Sequence, residues 1–166
     1  MRNLLKWDNI KDYVYIVLAV VLIRTFIVTP AIVNGASMDD TLKNGQHVII
    51  NKFIYRFDDI ERFDIVVVKN DEDHDKIIKR VIGLPNETIE YKDNKLYING
   101  NLILTDFISK ETADFQTTTS DGEYFVMGDN RPVSKDSRML GNFTEDKRVG
   151  KVGLRLFPFN KIGKIK

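Results

Sequence analysis

The 166-residue chain has no cysteine. That absence excludes a disulfide framework and any cysteine-based metal site. Histidine is nearly as scarce. Only His47 and His74 occur, both among polar neighbours, so a Ser-His-Asp triad has no evident base. No ligand cluster for a metal or cofactor is visible, and none is expected. An excess of one charge is lacking too. The formal net charge is +1, which leaves no nucleic-acid footprint. Proline is limited to 4 positions against 10 glycines, which points to a globular β-containing body and away from a linker-rich chain. There is no internal repeat and no low-complexity tract. The length suits one domain plus an anchor.

The one long apolar run is Tyr13 to Val28, YVYIVLAVVLIRTFIV, with Arg24 as its only charge. As a helix it spans about 24 Å at ~1.5 Å per residue, just short of a ~30 Å hydrocarbon core. Pro30 to Val33 continue the apolar character, Arg24 can snorkel, and Trp7 suits the near interface. Arg2, Lys6 and Lys11 precede the run and favour a cytoplasmic N-terminus. A cleaved signal peptide would need a small-x-small site after the run, and no good one follows. A buried core helix would show a one-sided apolar stripe, which this run lacks. The expected organisation is a cytoplasmic segment over 1–12, a transmembrane anchor over 13–29 and an extracytoplasmic domain over 30–166.

Beyond the anchor, helix signals are few and strand signals many. Gln46 to Lys52, Phe63 to Lys69 and Lys76 to Ile82 read as strands, the second with the continuous apolar run of a buried one. Thr88 to Tyr91 and Leu96 to Asn99 flank a polar turn, and Asn99-Gly100 marks a second turn before Asn101 to Leu104. Tyr124 to Met127 and Val152 to Phe157 follow. The predicted class is mainly β: a transmembrane helix, then an antiparallel, partly closed barrel-like sheet with an inserted hairpin lobe over about 87–122. The stretch from Thr105 to Gly122, poor in apolar residues, reads as mobile.

Three motifs bear chemistry. In Asn34-Gly35-Ala36-Ser37-Met38 the small residues before Ser37 can leave its hydroxyl open to a cleft, although a simple loop serine fits equally. Lys79 lies among Ile77, Ile78, Val81 and Ile82, and strand alternation puts Lys79 and Arg80 on opposite faces. Burial moves a lysine pKa from ~10.4 toward ~5–6, which makes a neutral amine a competent base. An edge-strand lysine with its head in water fits the same residues. The cluster Gly128 to Arg138, GDNRPVSKDSR, concentrates Asp, Asn, Ser and Arg. Arg138 can pair with Asp136 or Asp129, and a solvated polar loop remains open.

The order of anchor, Ser37-Met38, Lys79-Arg80-Val81-Ile82-Gly83-Leu84-Pro85 and Gly128-Asp129-Asn130-Arg131 with Ser134-Lys135-Asp136-Ser137-Arg138 resembles the type I signal peptidases. The resemblance covers nearly the whole chain, is loosest from Asn86 to Gly122, and is nearest to the short Gram-positive type with a single anchor. It implies Ser37 as nucleophile and oxyanion N–H donor, Lys79 as general base, and Ser134 as the hydroxyl that orients the lysine. It implies that Asp129, Asp136 and Arg138 hold the site together. Val33, Met38, Leu42, Ile77 and Ile78 fall where the family lines small pockets for Ala-x-Ala sequences. The implied substrate is a signal-peptide-bearing pre-protein emerging from the secretion channel. It would bind as an added β-strand beside the segment before Ser37 and the strand of Lys79. The enzyme is expected in the cell membrane, in contact with lipid, with its domain on the outer face.

The chain departs from the family pattern in three places. Asp40 stands where the family has proline, and with Asp39 it adds charge that is expected to lower activity or favour basic residues past the cleavage point. Asn86 stands for a common glycine, a mild change because Asn tolerates left-handed angles. Gly35 offers no side-chain oxyanion donor. The competing function is a non-catalytic homologue that assists assembly of surface proteins. Retention of Ser37, Lys79 and Ser134 argues against it, and Asp40 is the one residue in its favour. A self-cleaving Ser-Lys repressor would need a DNA-binding helical domain where the anchor stands.

Overall fold

A computed structural model describes residues 7–71, 75–105 and 111–165. The sequence expectations for Arg2, Lys6 and His74 lie outside the described residues. The chain runs α1 (Trp7–Phe26), β1 (Val28–Ile32), β2 (His47–Asn51), β3 (Ile65–Lys69), β4 (Lys76–Gly83), β5 (Thr88–Lys92), β6 (Lys95–Ile98), β7 (Asn101–Ile103), β8 (Phe115–Thr118) and β9 (Glu123–Met127). It ends with α2 (Ser137–Leu140), β10 (Phe143–Thr144), β11 (Arg148–Phe157) and β12 (Gly163–Lys164).

Eight strands form one antiparallel sheet in the order β1-β2-β11-β3-β4-β9-β10, with β12 added beside β11. The apolar run Ile65 to Val68 explains its centre. Alternation sends Ile65 and Val67 into one core cluster with Met38, Leu42 and Val48, and Val66 and Val68 into another with Val81 and Val126. Each side chain of this kind contributes about 1.5–3 kcal/mol when fully buried. Register slips in β11 and at Val81/Gly83 of β4 add bulges, and bulges bend and twist a strand. The sheet therefore curls.

A second sheet, β7-β6-β5-β8, spans Thr88 to Thr118. Its two tight turns are legible in sequence. Asp93 and Asn94 adopt φ 49° and 60°, and Asn99 and Gly100 adopt φ 51° and 78°. Both central residues of a two-residue hairpin turn need positive φ, which Asn, Asp and Gly accept. A third core cluster, with Ile82, Phe125 and Met127 from the large sheet and Ile89, Tyr91, Leu96 and Ile98 from the small one, joins the two.

Two sequence expectations need correction. Residues 105–122 are not uniformly irregular, because Phe115–Thr118 forms β8 on β5; Phe115 stacks on Tyr91, a contact that local composition does not show. The N-terminal helix covers 7–26 rather than 13–29. Val28 and Thr29 pair with Asn51 and Ile50, so backbone pairing with β2 ends the helical run. Pro30 sits inside β1, which is tolerated because β1 is the edge of the sheet. Every 18-residue stretch of α1 contains Lys11, Asp12 and Arg24. No helix among the described residues is long and apolar enough to cross a membrane. Tyr13 to Val21 and Leu22, Ile23 and Phe26 are exposed on all sides of α1.

Candidate active site

Ser37 sits in the turn that follows β1. Val33 N–H donates to Gln46 O at 2.8 Å, which prolongs the pairing with β2 by one step before the chain leaves the sheet. Bonds from Asp39 N to Ala36 O and from Leu42 N to Met38 O then wind residues 36–42 into a compact turn. Met38 and Leu42, 1% and 0% exposed, drive this turn into the core and leave Ser37 half-buried between them and Ala36. Among the described residues the Ser37 N–H meets no acceptor. Asp40 holds φ 88°, a left-handed angle that proline cannot reach. The family proline therefore does not fit this turn as it stands.

Lys79 is 3% exposed on β4, and its Nζ lies 2.9 Å from Ser37 Oγ across 42 residues of sequence. Burial pulls the ammonium down to about 8, opposed by Asp136 and Asp129 and assisted by Arg138. The drop is smaller than burial alone suggests, because two carboxylates face the amine.

Both carboxylates are themselves held. Asp129 receives Arg80 Nε at 2.9 Å and Nη2 at 2.8 Å, a buried two-point pair, and accepts Thr41 Oγ1 at 2.5 Å. Arg80 also donates to Phe63 O. Asp136 caps α2, takes Arg138 Nε at 2.8 Å and Nη2 at 2.9 Å, and accepts the Gly128 N–H at 3.0 Å. Burial alone would raise its carboxyl, but the Arg138 fork, the nearby Ser134 hydroxyl and the Gly128 N–H hold it below the usual range. The Ser134 Oγ is buried and has no hydrogen-bond partner of good geometry, though it lies close enough to Asp136 to act on it.

The loop after β9 presses on the serine. A Cβ on Gly128 would collide with Ser134 Oγ and with the Ser37 carbonyl, so only glycine permits this approach. Asn130 donates its N–H to Ser37 O and its Nδ2 to Ala36 O, both at 3.0 Å.

The structure thus brings together Ser37, Lys79, Ser134, Asp129, Asp136 and Arg138. The five residues expected to line pockets are divided. Val33, Met38 and Leu42 are core residues. Ile78 packs beside them, while Ile77, also half-buried, packs on the opposite face of β4. Sequence reasoning missed Arg80, Thr41, Gly128 and Asn130 as organisers. One signal was available: Arg80 lies opposite Lys79 in an apolar strand, and a buried arginine requires an acid. His47 is exposed, as its polar neighbours suggest.

The described residues thus present a curled antiparallel sheet with a serine hydroxyl 2.9 Å from a buried amine, an arrangement compatible with a serine hydrolase. The family model for signal peptidase, peptidase S26, matches residues 6–157. The signal peptidase I of Bacillus licheniformis is 38% identical over 98% of this chain and 94% of its own length. The signal peptidase IB of Staphylococcus aureus is 36% identical over 96% and 93%. A crystal structure of a signal peptidase I from Enterococcus faecalis superposes with a TM-score of 0.54 at 36% identity, covering 57% of this chain and 97% of that one. The chain belongs to the signal peptidase family, peptidase S26, and is a serine endopeptidase of the signal peptidase I type.

Proposed function

We propose that this endopeptidase cuts signal peptides from exported precursors after small residues, with Ser37 as nucleophile and Lys79 as base. The observation that carries the reading is the 2.9 Å contact between Lys79 Nζ and Ser37 Oγ at a buried amine. In the reactive form the neutral amine accepts the Ser37 proton along this contact. Ser37 Oγ attacks the scissile carbonyl, and the unengaged Ser37 N–H donates to the developing oxyanion. The leaving amine takes the proton back from Lys79, the C–N bond breaks, and an acyl-enzyme remains. Lys79 then deprotonates a water that cleaves the ester and frees Ser37. Ser134, buried beside Gly128 and close to Asp136, is assigned to orient the amine. No step calls for a cofactor.

The substrate is placed as an added strand. β9 pairs with β4 only from Arg80 onward, so Lys76 to Lys79 have no partner strand on that side among the described residues. β1 offers the open edge of the same sheet. Small side chains would meet Ile77, Ile78 and the rim of the Val33-Met38-Leu42 cluster. The exposed apolar surface of α1 and its direct run into β1 support a membrane anchor that keeps Ser37 near a precursor leaving the secretion channel.

Purified chain in detergent should cleave a precursor bearing an Ala-x-Ala site at the expected bond, while Ser37→Ala and Lys79→Ala should not. Persistent cleavage by Ser37→Ala, or an inert folded wild type across several precursors, would overturn the reading.

A further inference from the structure

Among the described residues, Arg131 is a buried cation without an anion. It is 2% exposed, and none of the ion pairs among the described residues includes it. Its Nε and Nη2 have no hydrogen-bond partner among the described residues. Its Nη1 donates to the Tyr91 hydroxyl at 2.6 Å and to Thr112 Oγ1 at 3.3 Å, and its guanidinium lies 5.0 Å from the Tyr91 ring centre. Burying a charge with so little compensation is unfavourable, and an apolar side chain of similar size would generally serve a core better.

The position of Arg131 suggests what the charge does. Tyr91 belongs to β5 of the small sheet, 1% exposed and stacked on Phe115. Arg131 belongs to the loop that carries Asp129 and Asn130. Its N–H donates to Asp129 O at 3.1 Å, and its carbonyl accepts Arg138 Nη2 at 2.8 Å. Arg138 in turn holds Asp136. A shift of the Arg131 backbone therefore moves all three charged groups that act on Lys79, namely Asp136, Arg138 and Asp129.

We propose that Tyr91 and Arg131 form a joint by which the small sheet positions the loop of Asp129 to Arg138 against Lys79. Both are positioning residues, because neither touches the reacting atoms. This role rests on the Ser-Lys reading for its effect on rate, but the joint itself is testable without turnover.

The test is Tyr91→Phe in the full chain, which removes one hydroxyl and keeps the ring and its packing. The Lys79 amine is followed by NMR of labelled lysine across pH, with Lys79→Arg used to assign the signal. Loosening the loop withdraws the Asp136 and Asp129 carboxylates, which favour the ammonium, along with the single cation of Arg138, which disfavours it, so the Lys79 midpoint should fall by about half a unit or more. In the cleavage assay kcat should fall about tenfold with KM little changed, the scale of one lost hydrogen bond to a charge. Arg131→Met should act in the same direction without a lower Tm, and Arg131→Lys should restore part of the midpoint. An unchanged or raised Lys79 midpoint in Tyr91→Phe overturns the joint, whether or not the chain cleaves precursors. A fall in Tm and activity together, at a constant midpoint, would show a merely structural role and overturn it as well. An inert wild type whose midpoint still moves would instead count against the Ser-Lys reading alone.

Discussion

A lysine acts as a base only in the fraction of molecules whose amine is neutral. In the role proposed for it, with its value lowered to about 8, Lys79 would be neutral in roughly one molecule in ten at pH 7. The sign follows directly: kcat/KM should rise about tenfold per pH unit below 8 and level off above it, measured on a precursor stable across that range. Stability should move with it. The unfolded lysine binds its proton up to its ordinary value of 10.5, so unfolding free energy should increase from pH 8 toward 10.5 through this group. Asp40 gives a second test at this scale. Its φ of 88° costs an ordinary L-residue about 1–2 kcal/mol and is free for glycine. Asp40→Gly should keep or raise Tm, whereas Asp40→Pro, which restores the family residue, should lower both Tm and activity. The sequence marked Asp40 as the departure, but the backbone angle that makes proline the worse choice exists only in the folded turn.

At the scale of elements, the end of β9 matters more than its length. Gly128 lies against Ser37 O and Ser134 Oγ. Gly128→Ala must push the 128–131 loop away, and a misplacement near 1 Å costs on the order of 10² in rate. That loss should appear in kcat with a modest change in Tm. The Arg80–Asp129 pair joins β4 to the same loop, both residues 2% exposed at their side chains. Asp129→Ala removes the carboxylate of this buried two-point pair and should destabilise by about 3–5 kcal/mol in denaturant unfolding. The double variant Arg80→Met, Asp129→Leu should recover much of the stability but not the activity. Most of these elements were legible. The β-branched runs gave β2, β3 and β4, and Asp93-Asn94 and Asn99-Gly100 gave the hairpins. β8 was not legible, since Phe115 to Thr118 carries one large apolar residue and owes its extended form to pairing with β5.

Across the whole molecule, α1 stands apart from two sheets that share a core. Every side chain from Tyr13 to Phe26, most of them large and apolar, is exposed. Removal of residues 1–26 should abolish binding to lipid vesicles, measured by flotation. Cleavage of a soluble peptide by the remaining sheets should stay within a few-fold of the full chain. Flotation that persists after this deletion would assign lipid contact to the sheets instead.

Composition and order alone determined that the body is β-rich, that no cysteine chemistry runs it, and which serine, lysine and acid-rich loop to consider. These are local facts of residue type and spacing. The tertiary structure decided the rest. It set Lys79 Nζ beside Ser37 Oγ, gave Arg80 to Asp129 and Arg138 to Asp136, and placed Met38 and Leu42 in the core. It also fixed the amine near 8 rather than lower, because that balance is between burial and the carboxylates of Asp136 and Asp129. Distances between residues 42 or 49 positions apart depend on strand register and sheet curl, which no local pattern encodes.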